Sequence, residues 1–203
     1  MRRGSIGLAL CGVMLSAATI AAQELPVDFA KARQLFADKQ YRASAQELRI
    51  ASSAFRGEIG KCKNATVGEK MMATEEQIDK LAAAVAAGKV ESLKAFEAKL
   101  TEFDLVLAKN HQQLAADEWA KSRGRALYAI GSDLGLAAQF LKRATDWKHM
   151  PRTPDVQKAV DDALRLSQAI AAGDGEKEPS GGGQVIDALG RAITGVKPDA
   201  AAP

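Results

Sequence analysis

The chain has 203 residues, with 28 basic and 25 acidic side chains and a net charge of +3. That near balance, without any long Lys/Arg run, excludes binding driven by phosphate backbones, so no nucleic-acid partner is expected. Its length allows a hydrophobic core to form without disulfide or metal staples.

At the N-terminus, Arg2 and Arg3 precede an uncharged apolar stretch from Ile6 to Ile20, and Ala21 and Ala22 come next. Positive start, apolar stretch and small-residue exit together read as a signal peptide over residues 1–22, cleaved near Ala22. The expectation is an exported protein, periplasmic or secreted, from a bacterial envelope. Leu10 ahead of Cys11 does not fit a lipoprotein acceptor, and the residues after Arg2-Arg3 do not fit twin-arginine export. Cleavage removes two cations and no acid, leaving 26 basic against 25 acidic residues, so the basic pI says little about partners. It also removes Cys11, and Cys62 alone cannot form an internal disulfide. After cleavage no segment is apolar enough to span a membrane.

Beyond the signal, alanine dominates among other strong helix formers, and no β-branched run bounded by turns is present. No proline interrupts the chain between Pro26 and Pro151. The fold class is therefore all-α: antiparallel helical hairpins packed as a bundle or a short tetratricopeptide-like stack, over residues 23–172. Asp28 is placed to cap a first helix running to about Asp38. A second covers about Tyr41 to Lys63, and Asn64 to Gly68 reads as a loop. Thr74 with Gln77 resembles a capping box for the third helix, with Glu69 as an earlier start and Gly88 as the stop. The fourth runs from about Glu91 to Lys121 and the fifth, after Gly124, from Arg125 to Trp147. Pro151 and Pro154 fence a loop before the sixth, Asp155 to Ala172. Residues 173–183, GDGEKEPSGGG, read as a flexible linker. Residues 184–203 hold a short amphipathic helix, Gln184 to Val196, with Val185, Leu189, Ile193 and Val196 on one face, then a tail.

Three turns share a local pattern, a large apolar residue followed by Ala, a polar turn and a small residue. They begin at Phe36-Ala37, Val85-Ala86 and Trp119-Ala120, and a fourth begins at Ile170-Ala171. The segment from Leu35 to Phe55 resembles one tetratricopeptide-type hairpin. The spacing from Val85 to Trp119 matches that family's period of about 34 residues, whereas Phe36 to Val85 does not. The resemblance implies stacked hairpins with grooves that hold protein partners.

Candidate chemistry is sparse. On the fourth helix Leu93, Phe96, Leu100, Phe103, Leu107 and Leu114 form one apolar arc, with Asp104, His111 and Glu118 at its edge. A histidine with two carboxylates is a candidate metal or proton-handling site. Side chains seven apart on a helix stand about 10.5 Å from one another, so ligands from another helix are required. His149-Met150 offers a soft copper contact, with Met71-Met72 elsewhere. Cys62 between Lys61 and Lys63 has cations to activate its thiol but no second cysteine. Trp119, Tyr128, Phe140 and Trp147 line a ligand cleft or a protein-binding groove, or belong to the core. Asn64-Ala65-Thr66 fits a glycosylation acceptor in a eukaryotic host. No catalytic, nucleotide or cofactor motif is present.

The expectation is a non-enzymatic envelope protein acting as a protein-binding or scaffold module. Trp119, Tyr128, Trp147, Val185, Leu189 and Ile193 are its candidate contacts. The C-terminal helix either caps its own bundle or docks into a partner. The alternative is a small-ligand or metal-binding bundle built on Asp104, His111 and Glu118.

Overall fold

A computed structural model describes residues 25–122, 126–148, 151–173 and 181–197. Helix α1 spans Ala30–Ala37, α2 Tyr41–Ile59, α3 Ala65–Ala86, α4 Leu93–Ser122, α5 Leu127–Trp147, α6 Pro154–Ala171 and α7 Gly182–Gly195. Among the described residues all regular secondary structure is helical, as the composition predicts. No described helix is long and apolar enough to cross a membrane. The signal segment, Gly124 and His149-Met150 lie outside the described residues.

The centre of the molecule is the α4–α5 hairpin. Thr101 Oγ1 donates to the Ala144 carbonyl at 3.3 Å, Asp104 pairs with Arg143, and His111 pairs with Asp133. Numbers rising on one helix against numbers falling on the other make the pair antiparallel. Helices α1 and α3 pack against α4, and α2 packs against both of them; α6 packs against α5, and α7 lies against α6 and α4. Because neighbours approach α4 from several directions, its buried surface is wider than a single arc. Leu105, Val106, Ala108, Asn110 and Gln112 are buried as well as Phe96, Leu100, Phe103 and Leu107. One continuous core runs from Val27 and Phe29 to Ile193. Each large aliphatic or aromatic side chain in it contributes about 1.5–3 kcal/mol of transfer free energy.

The helix ends explain the turn repeat. Gln40 N–H bonds back to the Leu35 carbonyl and Lys39 N–H to Phe36; Lys89 N–H bonds to Ala84 and Gly88 N–H to Val85. These are two copies of one Schellman-type cap, in which the residue three after the large apolar one adopts positive φ. That residue is Lys39 (φ 60°) in the first copy, Gly88 (φ 65°) in the second and Gly173 (φ 82°) after α6. Phe36, Val85 and Ile170 are all buried, so these three copies mark where a helix is clamped to its neighbour before it turns; Trp119 in the remaining copy is half-buried, and its turn runs into residues outside the described ones.

Three boundaries differ from the sequence reading. Asn64 does not belong to a loop: its side chain accepts from Val67 N–H at 3.1 Å and starts α3 at Ala65. Thr74 is then mid-helix and buried, and its hydroxyl donates back to the Lys70 carbonyl at 2.8 Å instead of capping anything. Gly182 and Gly183, read as linker, form the first turn of α7. A Cβ built on Gly182 would stand 2.3 Å from Trp119 Cη2, so the indole lies directly on the backbone of α7. Glycine is required there by close approach.

Candidate functional site

Asp104, His111 and Glu118 do not assemble into one site. Each is drawn to a different partner. Arg143 donates to Asp104 through Nε (2.8 Å) and Nη2 (2.6 Å), and Trp147 Nε1 donates to the same carboxylate at 2.7 Å. Asp104 is fully buried, and burial pushes its carboxyl up against the opposing pull of Arg143 and Trp147. Arg143 also donates to Asp28 Oδ1 and to the Val27 carbonyl, both at 2.9 Å. Its guanidinium stacks near Phe29 and Phe140. This network ties the segment entering α1 to the centre of the bundle. Asp28 also accepts from Ala30 N–H at 2.9 Å, but it is not the cap expected of it: Phe29 holds the N-cap position of α1, and no side chain caps that helix there.

His111 instead sits between two carboxylates from other helices. Its Nδ1 is 2.8 Å from Asp133 Oδ1 on α5, and its Nε2 is 3.4 Å from Glu58 Oε2 on α2. Phe140 stacks on the ring at 5.7 Å. Burial disfavours the imidazolium, but hydrogen bonds and charge from Asp133 and Glu58 outweigh burial and raise the pKa above its ordinary value. Glu58 is lowered: His111 and Lys61, which donates to Glu58 Oε1 at 2.8 Å, overcome the cost of its burial. One acid faces each ring nitrogen, but at 3.4 Å His111 Nε2 and Glu58 Oε2 are both buried without a hydrogen bond of ordinary geometry. Among the described residues no group of three His, Cys, Asp or Glu is placed to hold an ion. Glu118 pairs with Lys63 at the surface, and that hydrogen bond lowers its pKa.

The other sequence candidates separate similarly. Lys61 and Lys63 are engaged by Glu58 and Glu118, and the half-buried Cys62 thiol donates to the Asn64 carbonyl at 3.2 Å. Met71 is buried while Met72 is exposed. The large aromatics do not share a groove. Trp119 lies under α7, Trp147 is held by Asp104, Phe140 is core, and Tyr128 is 81% exposed. Leu189 and Ile193 are buried within the chain's own core, and Val185 is half-buried. The C-terminal helix therefore docks in cis.

What remains open is a cleft of about 890 Å³ between α6 and α7. Helix α7 carries two apolar stripes. Ile186, Leu189 and Ile193 face the core. Val185, Ala188, Ala192 and Val196 recur at intervals of three and four and face the cleft, opposite Val156 and Ala159 of α6. Thr153 caps α6 by accepting from Val156 N–H at 3.4 Å, and Pro154 fits its first position, which fixes the start of the helix whose buried Val156 and Ala159 line the cleft. The cleft is bordered by Lys148, Arg152, Lys158, Arg191 and Lys197 against Asp155 and Asp162, an excess of three cations. Arg152 pairs with Asp146 and Lys158 with Asp162. Among the described residues Arg191 and Lys197 have no carboxylate partner within ion-pair distance. The single face expected of Val185, Leu189, Ile193 and Val196, with Ala188 and Ala192 beside them, is split in the structure: Leu189 and Ile193 are buried in the core, and Val185 and Val196 are half-buried along the cleft. A charged residue at a buried register was the available signal for Glu58, three positions after Phe55.

Compared with protein-family models, curated proteins and solved structures, the chain matches none.

Proposed function

We propose that the chain is an exported, non-enzymatic helical module that binds another protein in the cell envelope through the α6–α7 cleft. The observation that carries this reading is the second apolar stripe of α7. A helix needed only as a cap requires one apolar face, yet beside its core-facing Ile186, Leu189 and Ile193 α7 lines the cleft with Val185, Ala188 and Val196, which the described residues leave only half-buried. The pairing of Asp104 with Arg143 and Trp147 supports a structural role for that buried carboxylate. Export rests on the order of charge, apolar stretch and small residues in the first 22 positions.

The test uses the full chain, produced with its own N-terminus and carrying a photo-crosslinking residue at Ala188. N-terminal sequencing of the periplasmic fraction is expected to begin near Gln23, and irradiation in the native envelope to give a protein adduct of defined mass. A cytoplasmic chain with residues 1–22 retained sinks export; absence of any adduct sinks protein binding. A second reading, small-ligand binding, is favoured by the cleft volume, which falls within the usual ligand-pocket range of about 300–1,000 Å³. Native mass spectrometry of the exported protein detects a retained small molecule if that reading holds.

A further inference from the structure

From the chemistry of its walls, we infer that the α6–α7 cleft takes an acidic amphipathic helix of a partner protein. This rests on the protein-binding reading above and narrows it to one kind of partner. Both walls are helices, whose backbone groups are bonded internally. They offer no free edge for an extended strand to pair with. Among the described residues no aromatic side chain lines the cleft, so its described walls lack the ring-walled slots that hold polyproline segments. A third helix needs neither, since its own backbone is already satisfied. It needs a trough it can approach closely. Ala188 and Gly195 on α7 are the small residues most open to the cleft, beside half-buried Val185 and Val196, with Val156, Ala159 and Ala192 buried in its lining. The α7 wall has 14 residues, so the trough is about 21 Å long at 1.5 Å per residue. That length matches about four turns of a docked helix.

Charge selects the partner's sign. Arg191 and Lys197 are exposed, belong to the cleft and lack an acidic partner among the described residues. Carboxylates flanking the apolar stripe of an incoming helix would complete them, while Asp155 and Asp162 disfavour a basic helix in the same place. Rim pairs of this kind act mostly through attraction at a distance and choice of partner, and are weakened by salt.

The test is binding of a fluorescent synthetic helix of about 14 residues, with Leu and Ala on one face and Glu on the other, to the exported full chain. The control peptides carry Lys in place of Glu, and sodium laurate is titrated as a competitor. The acidic peptide is expected to bind and the basic one not. Reversing Arg191→Glu and Lys197→Glu together is expected to weaken binding roughly tenfold and to flatten its salt dependence. Ala188→Trp, which fills the trough without touching the α4-facing stripe, is expected to abolish binding with the unfolding midpoint unchanged. Equal binding of both peptides, or binding unaffected by the reversals or by Ala188→Trp, overturns the inference. Laurate displacing the acidic peptide at stoichiometric amounts overturns it in favour of an anionic amphiphile. No peptide binding alongside a protein adduct at Ala188 in the envelope overturns the acidic helix and leaves the protein-binding reading standing. Failure of both removes the two together.

Discussion

The contact between Trp119 and the first turn of α7 yields a signed prediction. In Gly182→Ala the new Cβ meets Trp119 Cη2 at 2.3 Å and Cζ3 at 2.6 Å. Carbon atoms rest at about 3.5–4.0 Å, so ring or helix must move by more than 1 Å. Overpacking of this kind costs about 1–3 kcal/mol. Replacing glycine by alanine in a helix returns at most about 1 kcal/mol, and less in a first turn. The net expectation is a loss of about 1–2 kcal/mol by the difference of those two effects. Gly57→Ala is the matched control, because a Cβ there meets nothing within 4 Å on an exposed face of α2. It is expected to be neutral or to stabilise by up to about 1 kcal/mol. Urea unfolding followed by circular dichroism reads both. The decisive measurement is the cycle with Trp119→Leu, which removes the clash and is expected to make Gly182→Ala harmless. A coupling of zero between the two sites would refute the seating of α7 on Trp119, and with it the cis docking that shapes the cleft.

Lys39 holds a positive φ that favours glycine, so Lys39→Gly is expected to stabilise by about 0.5–1 kcal/mol in the same assay, despite glycine's freer unfolded chain. Stability is expected to be highest in a window set by the Glu58–His111–Asp133 cluster. The raised His111 pKa contributes stability that is present below 6.5 and lost as pH rises through the folded value. The lowered Glu58 pKa contributes stability present above 4.5 and lost as pH falls through its folded value. In His111→Gln the alkaline limb should disappear from a plot of unfolding free energy against pH; its persistence would assign that limb elsewhere. Asp104→Ala leaves the Arg143 guanidinium buried beside Phe29 and Phe140 without its carboxylate, and a loss of about 3–5 kcal/mol is expected by calorimetry. A loss under about 1 kcal/mol would mean that water replaces the carboxylate.

The all-α class, the order of helices and most of their ends were legible in the chain, because they depend on local quantities. Alanine-rich stretches favour helix wherever they lie and glycine stops it, each within a few residues. The caps at Asn64 and Thr153 are just as local, yet Asn64 reads as a loop residue in the sequence and Thr153 is not singled out there. Even the turn repeat is local, since Phe36, Val85 and Ile170 each sit three before a residue of positive φ. Which side chains meet was not legible. Asp104, His111 and Glu118 share one helical edge, yet Arg143, Glu58 with Asp133, and Lys63 draw them apart. A buried charge is matched by whichever opposite charge the packing brings within reach, and that charge is far away in sequence. The glycines at 182 and 183 likewise look like linker until Trp119, more than sixty positions earlier, lies against them. The second stripe of α7 acquires its meaning only from α6, which leaves Val185, Ala188 and Val196 half-buried. Local preference along the chain set the helices; the burial of surface between segments distant in sequence decided where they dock and which face stays open.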